Sequence, residues 1–309
     1  MKIPTIEALL FVAACVPGFN ISAQEEERSW QLGIALGQGS RDNPLINGEA
    51  IDINAVIDFS WYGEKFFLDN GDLGFTFLEE RNWAFSLIAT VNNERNFYNY
   101  LTGRQLSLGS LLENNFSFGS SITSSTDGTT VIDPETGKIT ISAPPPDLVS
   151  DRINITDLNK ETELPDRNFA LNGGIEFLYI SPLGDIQAQV LTDASSTHDG
   201  QEAWLSWSYP WFTHNGQFNL TLGAEWKSAD LITYYYGVSE DESFIGRPAY
   251  ESGAGTNTFI RFSARHALTD HWHLAGVVER EFLSSAVRNS PIASSSRVDT
   301  WFLGLYYSF

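Results

Sequence analysis

Along most of this 309-residue chain, apolar side chains return at every second position. Trp30, Leu32, Ile34 and Leu36 fall on one face of an extended strand, opposite Gln31, Gly33 and Ala35. The stretch IDINAVIDFSW sets Ile51, Ile53, Ala55, Ile57, Phe59 and Trp61 against Asp52, Asn54, Val56, Asp58 and Ser60. Leu73, Phe75 and Phe77 repeat the pattern, as do Trp83 to Val91, Ile186 to Val190, Ala203 to Tyr209, Phe218 to Trp226, Ile260 to Ala264 and Trp272 to Val278. A period of two predicts strands with unlike surroundings on their two faces.

A soluble sandwich with one wet face and a transmembrane barrel with a polar lumen both produce such strands. Three features favour the barrel. The apolar faces begin or end in aromatics (Trp30, Trp61, Trp83, Trp226, Trp272, Trp301, Tyr307), as interfacial girdles require. The opposite faces carry charges of both signs. The connections alternate: short links at Gly63-Glu64, 79–82, 181–184, 214–216 and 268–270, against external ones at 39–50, 70–72, 93–167, 193–199, 227–256 and 283–297, of which only 70–72 is tight. The expected fold is therefore all-β, a transmembrane antiparallel up-and-down β-barrel of about twelve strands (ten to fourteen), with short periplasmic turns and long external loops. The 110–166 segment, rich in Ser, Thr, Gly, Asp and Pro, reads as one long external loop with a small hairpin around 129–141.

Charge narrows the partners. With 18 Lys+Arg against 39 Asp+Glu, the net charge of −21 disfavours nucleic acid. The start, MKIPTIEALLFVAACVPGFNISAQ, has the layout of a secretory signal peptide over 1–23, with the mature chain beginning near Gln24. Val12-Ala13-Ala14-Cys15 also resembles a lipoprotein box, which would lipidate Cys15 instead. Cys15 is the sole cysteine, so no disulfide framework is expected.

Candidate chemistry is sparse. Inward positions nominate a lumen charge set of Glu202, Glu225, Arg261, Arg265, Glu279 and Glu281, either a packed ion-pair network or the lining of a cation-favouring channel. Asp193, His198 and Glu202 near one external loop suggest acid/base or metal chemistry, with Ser195 and Ser196 as available hydroxyls, but hydrogen bonding that orders the loop explains them better. Tyr234-Tyr235-Tyr236 reads as rim packing or an aromatic ligand shelf, and Trp272 in HWH as a girdle anchor. No cofactor or metal is expected, and no enzymatic activity.

Four stretches carry a family resemblance: LTDASSTHDGQEAWLSWSYP (191–210), LGAEWKSADLITYYYGVSEDES (222–243), HALTDHWHLAGVVEREFL (266–283) and the aromatic last strand. With FSWYGEKFFLDNGDLGFTF (59–77), they make the chain resemble the MipA/OmpV outer-membrane proteins. The resemblance implies a cell outer-membrane barrel that scaffolds peptidoglycan-remodelling enzymes, a lytic transglycosylase and a penicillin-binding synthase. The periplasmic turns and Gln24 to Ser29 would be the surface offered to them. Its alternative is an outer-membrane channel or surface adhesin. Outer-membrane lipid and lipopolysaccharide would surround it. Trp301, Leu303, Leu305, Tyr307 and Phe309, on one side of the last strand, resemble the signal read by the barrel-insertion machinery.

Overall fold

The computed structural model describes residues 30–92, 94, 96–99, 164 and 167–309. The expected signal peptide, Gln24 to Ser29, the 129–141 hairpin and nearly all of the 110–166 loop lie outside them. Twelve strands form one closed antiparallel barrel. They are β1 (Trp30–Arg41), β2 (Ile51–Tyr62), β3 (Phe66–Asp69), β4 (Asp72–Glu80), β5 (Trp83–Val91), β6 (Leu171–Tyr179), β7 (Asp185–Asp193), β8 (Gln201–Phe212), β9 (Gly216–Lys227), β10 (Gly255–Ala267), β11 (Trp272–Phe282) and β12 (Arg297–Ser308). Each pairs with the next, and β12 closes on β1 in a register that sets Leu36 opposite Leu305 and Arg41 opposite Thr300.

The alternation read from the sequence is the alternation of the wall. Leu36, Val190, Leu205, Leu303 and Leu305 stand exposed on the outside, while Ser206, Ser208, Asn219, Thr221 and Ser263 are buried inside. Trp30, Trp61 and Trp272 mark the end with the short turns, and Trp226 and Trp301 the opposite half. No described helix is long and apolar enough to cross a membrane.

β2 departs from its expected pattern. Ile53 is buried inside with Val56, whereas Ile57 and Trp61 face outward. The cause is a register shift against β1 between Leu36 and Gly39, where one extra β1 residue is accommodated and the phase of β2 flips. Ile51 and Ile53 therefore change sides relative to Phe59.

The wall is lowest at the β3–β4 hairpin. β3 meets only Ser60 to Tyr62 of β2, then turns back through Asn70-Gly71 at φ 51° and 104°. Both positive values suit a two-residue hairpin turn, and Asn70 further ties its tip to Phe59 through two hydrogen bonds.

The long links at the other end carry short helices. They contain a helical turn α1 (Asn96–Asn99), α2 (Ala229–Tyr236) and α3 (Ser285–Arg288). Ser228 and Ser284 cap the last two, their hydroxyls accepting from the N–H of Leu231 and Val287, and Asp230 suits the positive end of α2. Leu231, Ile232, Tyr235 and Tyr236 recur on one face and are almost wholly buried. They pack with Leu45, Phe97, Tyr98, Val238, Leu283, Val287, Ile292 and Val298 into a single apolar cluster, a folded cap over the barrel mouth. At about 1.5–3 kcal/mol per buried large side chain, this cluster is a substantial source of order. A second cluster, Ala35, Ile53, Val56, Ala275, Val277, Phe302 and Tyr306, lines the inside of the β1–β12 seam.

Candidate functional site in the barrel interior

Beneath the cap the interior is polar and charged. Glu94, in the connection after β5, reaches down to accept hydrogen bonds from the Lys227 ammonium and the Tyr236 hydroxyl. Lys227 also lies 3.0 Å from Glu225, the preceding inward residue of β9. Glu202 accepts from Asn172 at 3.0 Å and Asn92 at 3.3 Å, and Glu281 from Asn257 at 2.7 Å, with Arg41 at 3.7 Å. The Arg41 guanidinium sits over the Phe97 ring of the cap, 5.0 Å from its centroid. Burial would raise the Glu94 carboxyl, but the Lys227 charge and the two hydrogen bonds hold it below the usual carboxylate range.

One layer lower, Arg261 donates to Glu279 at 2.5 Å, its partner across β10 and β11. The Arg261 guanidinium also covers Phe259, which packs on Trp204 at 4.7 Å. Arg265 donates to Gln217 at 2.8 Å and lies over Tyr306, whose hydroxyl donates to Asp58.

The six nominated lumen residues thus separate. Glu202, Glu225 and Glu281 gather under the cap, Arg261 and Glu279 form a pair, and Arg265 bonds an amide. Lys227, Glu94, Arg41 and Asn172 join them without having been singled out in the alternating pattern, and Tyr236, read from the sequence as rim packing or a ligand shelf, donates to Glu94. Period two carries straight from Glu225 to Lys227 and contained that signal; Glu94 lies off any strand and had none.

The Asp193 loop is a hydrogen-bond knot. Asp193 accepts from the N–H groups of Ser195, His198 and Asp199 and from the Ser195 hydroxyl at 2.6 Å. His198 Nδ1 accepts from the Gly200 N–H at 2.9 Å and is 3.8 Å from Asp193. Burial depresses the His198 pKa, which keeps the ring neutral for that role. Ser195 bonds Asp193 and Thr197, not the imidazole, so the order needed to activate a hydroxyl is missing from this arrangement. Tyr235 and Tyr236 are cap core, and Tyr234 receives the Arg167 guanidinium on its ring. No group of three His, Cys, Asp or Glu suited to a metal occurs among the described residues.

At the turn end, Trp272 and Phe309 pack edge-on against Tyr307 at 4.9 and 4.8 Å. Trp301, Leu303, Leu305 and Phe309 are all exposed on the outside of the barrel.

Among solved structures, the chain is similar to a loop-deletion form of OmpT, an outer membrane protein of Vibrio cholerae, at 8% identity and TM-score 0.34, covering 91% of this chain and 100% of that one. A Pseudomonas aeruginosa FadL homologue gives 7% and 0.30, covering 91% and 89%. In sequence it resembles the MltA-interacting proteins of Escherichia coli (strain K12) and Shigella flexneri, each 26% identical over 149 residues, 47% of this chain and 59% of theirs. The match thus spans about three fifths of the length of those relatives. The family described as MltA-interacting protein MipA matches residues 32–309, from the first barrel strand through the closing one, and the chain belongs to it.

Proposed function

We propose that the protein is a non-enzymatic outer-membrane barrel that serves as an interaction platform for peptidoglycan-remodelling enzymes, a lytic transglycosylase first and a penicillin-binding synthase second. The family match over residues 32–309 carries this reading, since relatives in that family are named for their interaction with MltA. The short-turn end, with Gln24 to Ser29 before it, is the face offered to periplasmic partners, and residues 1–23 are the signal peptide that delivers the chain there. The apolar outer band supports the location, with lipid and lipopolysaccharide around it. The outward row Trp301, Leu303, Leu305, Tyr307 and Phe309 serves as the contact for the barrel-insertion machinery. The folded cap and the charged layer beneath it favour a platform over an open channel.

Crosslinking in native envelopes followed by purification through a tagged form of the protein tests the reading. Enrichment of a lytic transglycosylase is the expected result. Recovery of folded, heat-modifiable barrel with no cell-wall enzyme above a control barrel would refute it.

A further inference from the structure

A recess of about 340 Å³ runs along the inner face of the β3–β4 hairpin, from the short-turn end to the hairpin tip. Its wall carries an aromatic pair, Tyr62 and Phe67, stacked at 5.8 Å and 23°. Space for that pair depends on Gly74, where a Cβ would stand 2.0 Å from the Phe67 ring. The interior shape is thus set by a residue with no side chain, and the Tyr62 hydroxyl donates to Asp69 Oδ2 at 2.8 Å at the edge of the pair.

The rest of the lining is selective in sign. Glu64 and Glu79 stand at the turn end, Asp69 and Asp72 at the hairpin tip, and Glu176 on the opposite wall, against Lys65 as the sole cation among the described residues of the lining. On Glu176, Gln187 and Gln189 both donate to the same oxygen, Oε2, at 2.7 and 2.8 Å. Oε1 accepts from no described residue. Carboxylates spaced along a narrow cleft beside ring faces match an elongated cation, which gains charge pairing at several points and cation–π contact between them. A neutral sugar would use the rings but leave the charge excess uncompensated.

We propose that this recess binds a small linear polyamine, entering from the short-turn end, independently of any role in recruiting cell-wall enzymes. Ammonium groups would pair with Glu176 and with the Asp69 and Asp72 carboxylates, while the intervening methylenes lie along Tyr62 and Phe67.

The test is calorimetric titration of spermidine into the full-length protein refolded in detergent, with heat-modifiable mobility confirming the barrel in every variant. Saturable one-to-one binding is expected, weakened roughly tenfold by Glu176→Gln or by Asp69→Asn with Asp72→Asn, and about threefold by Tyr62→Leu. Glu80→Gln, a carboxylate at the same end but not lining the recess, should bind like the parent. The proposal is overturned if folded parent protein shows no saturable binding. It is equally overturned if Glu80→Gln weakens binding as much as Glu176→Gln, which signals diffuse surface charge, or if neutral chitobiose binds and displaces spermidine.

Discussion

Replacing Lys227 with methionine keeps much of the side-chain volume and removes the ammonium that Glu94 and Glu225 share. Lys227 is 3% exposed, so water cannot take over its role. Leaving a buried carboxylate without its counter-charge costs about 3–5 kcal/mol. That cost falls on one structural step, because Glu94 belongs to the connection after β5 and Lys227 to the barrel wall: it loosens the cap and leaves the strands paired. At tenfold per roughly 1.4 kcal/mol, the undocked cap should become about 100- to several-thousand-fold more populated. Native-state hydrogen exchange reads this directly in peptides covering 229–238 and 283–292. Their exchange should accelerate while β8 to β12 peptides hold their protection. Adding Glu94→Gln to Lys227→Met removes one of the stranded charges and should recover part of the loss. Unchanged protection in the cap of the single variant, or acceleration spread evenly through the strands, would refute the latch.

The same carboxylate gives a pH dependence. Glu94 is held below its ordinary value near 4.5 in the folded protein, so its contribution to cap docking is complete above that pH and is lost as pH falls through the lower folded value; cap exchange corrected for intrinsic rates should accelerate as pH falls below about 4.5, and less so in Glu94→Gln. Arg261→Met strands Glu279 in the interior and should lower the urea midpoint of the refolded barrel by an amount equal to about 3–5 kcal/mol, with an unchanged midpoint showing that the pair is dispensable. His198→Ala removes the acceptor of the Gly200 N–H, a local loss of about 1–3 kcal/mol, and should raise proteolytic nicking within 194–200 while His198→Asn spares part of it. Gly37→Leu would drive a Cβ to 2.2 Å from the Leu303 carbonyl oxygen across the seam, so it should abolish heat-modifiable mobility, whereas Leu303→Ala on the outer face should not.

Sequence reading reached the wall because lipid-facing and interior positions obey one simple period, visible in FNLTLGAEW without any partner strand. It misplaced Ile51 and Ile53 because a register shift lies in the pairing of two strands, and β2 alone carries no mark of it. Of the cap, only the rim packing of Tyr234-Tyr235-Tyr236 was legible in the sequence, for a related reason. Leu231, Ile232, Tyr235 and Tyr236 form a short helical face, yet its burial depends on Leu45, Phe97 and Ile292 from connections far away in the chain. Period two marks which charged side chains share a face, but their partners are set by heights around the ring: Arg265 meets Gln217, and Glu202 meets two asparagines. The recess depends on Gly74, whose importance is the ring that fills its missing side chain.

The cap core also constrains the order of events in assembly. Its side chains come from the β1–β2, β9–β10 and β11–β12 connections, from the segment after β5 and, with Val298, from the start of β12. Leu45 of the β1–β2 piece meets Ile292 of the β11–β12 piece only when the first and last strands have joined, so a chain stalled with an open seam leaves the cap core incomplete. Such distant contacts form late. Burial of Tyr235 and Tyr236 is therefore a built-in completion signal: a fluorescence change in the cap marks the moment the cylinder has closed, and partially threaded intermediates remain recognisable by an unassembled, apolar outer rim.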